Sequence, residues 1–457
     1  MTKNSLTTIL APLLCVACYF LLLQLNMAEQ AAVTVSLTLL VVVLWVTEAL
    51  PIPVTSLLPF ALFPLFGILD HKQASSALGS HVILLLMGAF MLSKALEKSQ
   101  VHERLAVYMV NLVGVNSGRR LVIGFMLATA ILSMWISNTA TVLIMLPMAL
   151  AILSHVENRK LKVALILGIA YAASVGGVGT LIGTPPNVIF MGIYEQFTQT
   201  EFGFIEWMKV GVPIVLISIP IMGLWLTRNV TMVEKIEMPT PGPWRVEEKR
   251  TLAVFGLTAL AWITRKEPFG GWSGLFDLPE VGDSTIALTA VVLMAMIPNG
   301  KGSRLLDWDT AKTIPWGMLL LFAGGIVIAK AFVASGLSDL LASGLVELAN
   351  LPILLTLLCI CLSVTYLTEI TSNTATATLL MPILAAAAIA TGLPPHVLMI
   401  PAAICASCAF MLPVATAPNA IAFGTKQLEI VDMVKEGAVL SLIMSCIVAL
   451  CCYWILV

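Results

Sequence analysis

The sequence predicts an all-α polytopic membrane protein: eleven transmembrane helices plus two re-entrant helical hairpins, set in two inverted-topology repeats. Three observations predict it. Of 457 residues, 59% are hydrophobic and only 11% charged, with a mean hydropathy of +1.00, whereas a soluble domain carries about 25% charged residues. Apolar runs near the roughly 20 residues that span a bilayer recur from end to end. Two overlong apolar runs are interrupted by the same polar triplet, Ser-Asn-Thr, at residues 137–139 and 372–374. So few charges cannot cover a soluble enzyme, a nucleic-acid binder or a disordered scaffold. The net charge of −1 leaves no global field to steer a polyion.

Residues 7–25 follow Lys3 and read as a first helix rather than a cleaved leader, because no small-x-small site follows and further spans come at once. Candidate spans continue at 31–48, 52–69, 81–97, 121–154, 161–181, 186–195, 210–228, 251–264, 284–298, 315–334, 352–390, 396–414, 418–424 and 436–457. The runs 121–154 and 352–390 are too long for one crossing, yet each half is too short for a full one. Each therefore predicts a hairpin that enters the membrane, turns at the polar triplet and returns. Gly176-Gly177-Val178-Gly179 followed by Gly183-Thr184-Pro185-Pro186-Asn187 cannot continue as α-helix, and neither can Pro413 to Asn419. Both predict helices unwound at membrane depth, where free backbone groups must be buried in protein or line a wet cavity.

The landmarks repeat in order. Ser137-Asn138-Thr139 recurs at Ser372-Asn373-Thr374 and Pro147 at Pro382, both offset by 235. Asn187 recurs at Asn419, offset by 232, and Gly88 and Lys94 recur at Gly324 and Lys330, offset by 236. The chain reads as an extra helix (1–30), a first repeat (31–228), a cytoplasmic linker (229–249) and a second repeat (250–457). Counting a hairpin as no crossing and a broken helix as one gives five crossings per repeat. An odd number inverts the second copy, as in many secondary transporters. With the N-terminus inside, 19 of the 24 Lys and Arg face the cytoplasm. Only Lys72, Lys209, Arg265, Lys266 and Lys330 fall outside, as does the C-terminus.

At a hairpin tip one half-helix ends and another begins. The beginning half presents free N–H groups and a positive dipole end to an anion, and the ending half presents carbonyls to a cation. The candidate anion contacts are Ser137, Asn138, Thr139, Ser372, Asn373 and Thr374, with Thr416 and Pro418 from the second unwound loop. Asn187 and Asn419 are placed to bond loop carbonyls. No Lys, Arg, Asp or Glu lies between Leu121 and Ser154, and Glu369 is the one charge in the second hairpin. A dianion held there has no basic partner, so bound cations are the natural counter-charge. Glu369 has no acidic counterpart, since the offset gives Met134; a cation-site role and a buried hydrogen-bonding role both suit it.

Other features read as structural. Glu48 before Pro51 marks a helix end, and Lys94 and Lys330 suit interfacial anchors. His71, His81, His102, His155 and His396 show no metal spacing. Eight tryptophans near span ends, Trp45, Trp207 and Trp262 among them, suggest an aromatic belt. The nine cysteines, including Cys15/Cys18 and Cys405/Cys408, read as apolar packing residues. No Walker A loop supports ATP-driven transport. No acid/base or nucleophile constellation supports a membrane enzyme. A channel would need a continuous pore.

Paired S-N-T tips, G-T-P-P-N after the first and T-A-P-N after the second resemble the divalent anion:sodium symporter (DASS) family over nearly the whole chain. The resemblance implies a homodimer in the cell inner membrane, embedded in lipid, with Na+-driven uptake of C4-dicarboxylates such as succinate, fumarate and malate. It implies an elevator in which scaffold helices (31–97 and 251–334) flank moving parts (hairpin 121–154 with broken helix 161–195, and hairpin 352–390 with broken helix 396–424). By motif, one sodium site would use Ser133, Ser137, Asn138 and Gly183, and the other Thr368, Thr371, Asn373 and Ala415. Substrate carboxylates would meet Asn138, Thr139, Asn373, Thr374 and Thr416. The second loop lacks the glycine and first proline of the first. Exchangers and citrate or sulfate carriers share the family pattern.

Overall fold

A computed structural model describes residues 3–114, 116–154, 156–230, 242–344 and 351–457. His155, Lys235 and most of the 229–249 linker lie outside the described residues. Those described are helical, joined by turns and short loops, with one isolated β-bridge between Pro298 and Arg304. Among the described residues, seven helices are long and apolar enough to cross a membrane: Leu6–Gln24, Glu29–Thr47, Arg159–Gly179, Phe204–Leu226, Trp316–Ala334, Asn373–Ala390 and Ile430–Leu456. Shorter apolar helices lie between them. Run 52–69 is split into Ile52–Thr55 and Leu58–Leu65, because prolines 53, 59 and 64 crowd it. Glu48 ends its helix in the left-handed conformation, at φ 49°.

The first hairpin is Gly118–Ser133 and Asn138–Leu153; the second is Ile353–Leu367 and Asn373–Ala390. Each turns at its polar triplet for the same reason. Ser137 leaves the helical conformation and its Oγ accepts from Ala140 N at 3.2 Å; Ser372 Oγ accepts from Ala375 N at 3.1 Å. Both serines are therefore N-caps, and both asparagines open the return helix.

The first broken helix runs Arg159–Gly176, continues as a short 3₁₀ turn, and restarts at Pro185–Thr198. The second runs Pro395–Cys405 and restarts at Ala417–Gly424. Each restart has proline in its first turn, where no N–H is needed. The packing is crosswise. Pro185–Thr198 lies against the return helix of the second hairpin, and Ala417–Gly424 against that of the first. This interlock brings the two tips and two loops, far apart in sequence, to one place.

An amphipathic helix, Val101–Val113, leads from the helix His81–Ser99 to the first hairpin. It was invisible as an apolar run. Its Arg104 pairs with Glu248 at 3.1 Å, both buried, tying the first repeat to the start of the second. Three of the belt tryptophans are interior instead. Trp45 Nε1 donates to Ser56 Oγ at 3.1 Å, Trp207 Nε1 to Val178 O at 2.7 Å and Trp262 Nε1 to Asp283 O at 3.0 Å. Burial of a large ring with its one polar atom satisfied outweighs a place at the interface.

Candidate functional site

The two tips and two loops meet at a cavity of about 410 Å³. Its polar wall holds Ser137, Asn138 and Thr139 from the first tip, Asn373 and Thr374 from the second, Gly183 and Thr184 from one loop, and Ala415, Thr416 and Pro418 from the other. The lining from His81–Ser99 and Trp316–Ala334 is mostly apolar: Leu86, Ala89 and Phe90 of the first and Met318 and Phe322 of the second. No Lys, Arg, His, Asp or Glu lines it. Of the residues singled out from sequence, Ser133, Thr368, Thr371 and Ser372 do not reach the cavity surface. Lys94 and Lys330 are also elsewhere: Lys94 pairs with Glu97 at 2.6 Å and Lys330 donates to Ser76 Oγ at 2.6 Å.

Behind each tip lies an oxygen cluster. Ser133 Oγ, fully buried, donates to Ala173 O at 2.8 Å and sits 2.7 Å from the Asn138 carboxamide. The same carboxamide atom lies 3.2 Å from Ala173 O and from Gly183 O. With nitrogen there, the amide donates to all three oxygens. With oxygen there, the Asn138 oxygen has three further oxygens within 3.2 Å, the kind of group that a hard cation binds.

The second tip repeats the pattern. Thr368 Oγ1 sits 2.8 Å from Asn373 Oδ1 and 2.9 Å from Ala406 O. Thr371 turns away, bonding Thr376 Oγ1 at 2.6 Å and donating to Leu367 O at 2.8 Å. The loops match as well. Asn187 Nδ2 donates to Gly177 O at 3.0 Å and Thr180 O at 2.8 Å; Asn419 Nδ2 donates to Ala409 O at 3.0 Å and Leu412 O at 3.1 Å. Each asparagine binds the carbonyls that the unwound turn sets free, which is why the turn is tolerated in the protein interior.

The repeats differ where loop meets tip. In the first, Thr180 Oγ1 donates to Met134 O at 2.5 Å. In the second, the tip residue at the Met134 position is Glu369, 2% exposed. Its Oε1 accepts from Phe410 N at 2.6 Å and Met411 N at 2.9 Å, and its Oε2 from Leu412 N at 3.1 Å. All three partners are backbone donors, so Glu369 acts as the binder of the second loop. Sequence reasoning missed two other loop supports. One is Trp207, on Val178 O. The other is Tyr171, whose hydroxyl donates to Phe410 O at 2.7 Å; an aromatic in an apolar run carries no signal of such a role. Among the described residues, no group of three His, Cys, Asp or Glu could hold a metal ion, and all nine cysteines are free.

The chain matches the profile of a family described as citrate transporter over residues 42–396. It is 39% identical to a sodium-dependent dicarboxylate transporter, SdcS, of Staphylococcus saprophyticus, over 98% of this chain and 90% of that protein. The chain belongs to the divalent anion:sodium symporter family. It is 38% identical to SdcS of Staphylococcus aureus strain MRSA252, over 100% of this chain and 92% of that one. It resembles the crystal structure of the YdaH transporter of Alcanivorax borkumensis with a TM-score of 0.61 at 14% identity, covering 84% of this chain and 87% of the other, a likeness of fold alone. As a member of this family, the chain is an integral membrane transporter and not an enzyme. The cavity and its paired clusters are where a transporter's chemistry would sit.

Proposed function

We propose that the chain is a secondary active transporter that couples Na+ to the uptake of C4-dicarboxylates such as succinate, fumarate and malate. The observation that carries this reading is a cavity with donors from two tips and no charged lining side chain, backed by an oxygen cluster behind each tip. Two separated sets of hydroxyl, amide and helix N-terminal donors suit two separated carboxylates. A dianion taken into such a wall needs counter-charge, since desolvating it is costly, and cations in the two clusters would supply it. Thr139, Thr374 and Thr416 would meet the carboxylates with Asn138 and Asn373. Ser133, Gly183 and the oxygen of Asn138 would hold one sodium ion, and Thr368, Ala415 and the oxygen of Asn373 another. Ser137 and Ser372 would act by capping the helices that present these groups. The sodium dependence and dicarboxylate substrates named for the Staphylococcus relatives support the same reading.

The division of the cavity into a polar wall on hairpins and broken helices and an apolar wall on scaffold helices supports an elevator. An apolar wall offers no hydrogen bonds to break as the polar wall slides past it. In this reading the protein is a homodimer in the inner membrane, with the N-terminus cytoplasmic, the C-terminus outside and the repeats inverted. The test is succinate uptake into proteoliposomes with and without an inward sodium gradient, with citrate and sulfate as competitors. Saturable uptake that requires sodium and is blocked by fumarate and malate is expected. Uptake indifferent to sodium would move the protein to anion exchange, and preferential block by citrate would move it to tricarboxylates.

A further inference from the structure

At the cavity, one hydroxyl–hydroxyl contact between the two repeats lacks the twin that their likeness calls for. Ala173 and Ala406 are counterparts, because each carbonyl accepts from the hydroxyl behind its tip. Ser174 is therefore the counterpart of Ser407. Thr184 and Thr416 are counterparts as the residues preceding the restarted half-helices. Thr184 Oγ1 lies 3.2 Å from Ser407 Oγ, a hydrogen bond between the repeats. Pseudo-symmetry calls for a second bond, Thr416 to Ser174, and the structure does not make it. The Thr416 hydroxyl accepts from Asn419 N at 3.2 Å as a helix cap. The Ser174 hydroxyl is buried, 1% exposed at the residue, and has no partner.

Two facts separate Ser174 from an ordinary buried serine. A hydroxyl inside a helix commonly donates to the carbonyl four residues back. Thr129, Thr227 and Ser445 do so here, but Ser174 leaves Ala170 O alone. Other buried hydroxyls lack partners, including Thr141, Ser218 and Ser441, but among the described residues Ser174 is the one of these on the cavity wall, which Thr416 also lines. An unpartnered buried hydroxyl destabilises the fold that holds it, unless something entering the cavity takes the bond.

We propose that Ser174 is a further substrate-binding residue: its hydroxyl donates to one carboxylate of the bound dicarboxylate, in the place where the symmetry-related bond to Thr416 is missing. This rests on the transport reading and adds a contact to the same cavity. The broken pair supplies two hydroxyls for the one carboxylate, Ser174 from the first repeat and Thr416 from the second. The closed pair, Thr184 with Ser407, holds the repeats together on the other side.

The experiment compares wild type, Ser174→Ala and Ser174→Thr in proteoliposome uptake and in thermal unfolding, with and without sodium and succinate. Ser174→Ala is expected to raise the succinate KM about tenfold, the scale of one hydrogen bond to a charged group, with the maximal rate and the sodium dependence unchanged. Without substrate its unfolding temperature is expected to equal or exceed that of wild type, and the stabilisation by sodium plus succinate to shrink. Ser174→Thr, which keeps the hydroxyl, is expected to restore most of the affinity. A succinate KM within twofold of wild type in Ser174→Ala would overturn the assignment. So would a lower unfolding temperature without substrate, which would mark a structural role. Wild-type protein with no sodium-dependent succinate uptake would remove the transport reading itself.

Discussion

Replacing Glu369 by Gln keeps its shape and removes its charge, so it isolates what holds the second unwound loop. The carboxylate accepts three backbone N–H groups, two on Oε1 at 2.6 and 2.9 Å and one on Oε2 at 3.1 Å. Hydrogen bonds to a charged acceptor contribute about 1.5–3 kcal/mol each and neutral ones about 1. With the glutamine oxygen in place of Oε1, two bonds fall from charged to neutral. The amide NH₂ then confronts the N–H of Leu412, and that bond is lost with a donor left buried. The gross loss is about 3–6 kcal/mol, and relief of burying a charge offsets several kcal/mol. A net destabilisation of about 2 kcal/mol remains, because carboxylate and donors were already matched. The assay is thermal unfolding of the purified protein across a sodium series. A lower unfolding temperature is expected, with half-saturation shifted to higher sodium, because Ala415, proposed as a ligand of the second cation, lies on the same loop. An unfolding temperature equal to that of wild type would refute the idea that these three bonds hold the loop.

Two further outcomes follow from the geometry. Asn138→Ala and Asn373→Ala are each expected to abolish uptake while the protein still elutes as a folded species in size-exclusion chromatography, because each amide serves both an oxygen cluster and the cavity; wild-type uptake in either would contradict the assignment. Gly183→Ala is expected to raise the sodium concentration for half-maximal uptake at least about tenfold, since a Cβ there would lie 2.3 Å from Gly177 O and the shift that relieves the clash carries with it the Gly183 carbonyl of the first cluster. Gly424→Ala, where a Cβ meets nothing within 4 Å, is the control and is expected to behave as wild type.

The tips and loops were legible in the sequence because they break rules that membrane helices obey. A polar triplet in the middle of an overlong apolar run, or Gly and Pro at depth, has no helical explanation, so the places of the turns follow from local chemistry. The supports of those turns were not legible. Ser174, Tyr171 and Trp207 sit in sequence that reads as plain apolar helix, and their partners are 29 to 239 residues away or absent. The same blindness applied to Trp45 and Trp262, which look like interface residues until their indole donors are seen to bond inside. Helix Val101–Val113 escaped because it is amphipathic and too polar for a span. What a sequence shows here is where a helix cannot continue; which side chains then satisfy the freed backbone depends on how the two copies interlock.

The interlock also sets what each loop must satisfy. Both loops must expose carbonyls toward a tip and keep the remaining backbone satisfied. The first does so with small residues: Gly177 and Gly183 let two strands of backbone approach so closely that a side chain on either would collide. The second has Ala409 and Ala415 at those positions and Pro413 between them, so it cannot close as tightly. It leaves three N–H groups free that the first loop does not. A carboxylate is the side chain able to accept all three from one position, and Glu369 stands at that position in the tip. The exchange of glycines for a carboxylate preserves the geometry but not the charge. The second oxygen cluster has a buried anion beside it, where the first has the uncharged Met134. A cation entering the second cluster therefore meets a field that the first cluster lacks. The two sites are therefore expected to differ in sodium affinity, the second binding more tightly, because a carboxylate stands behind it.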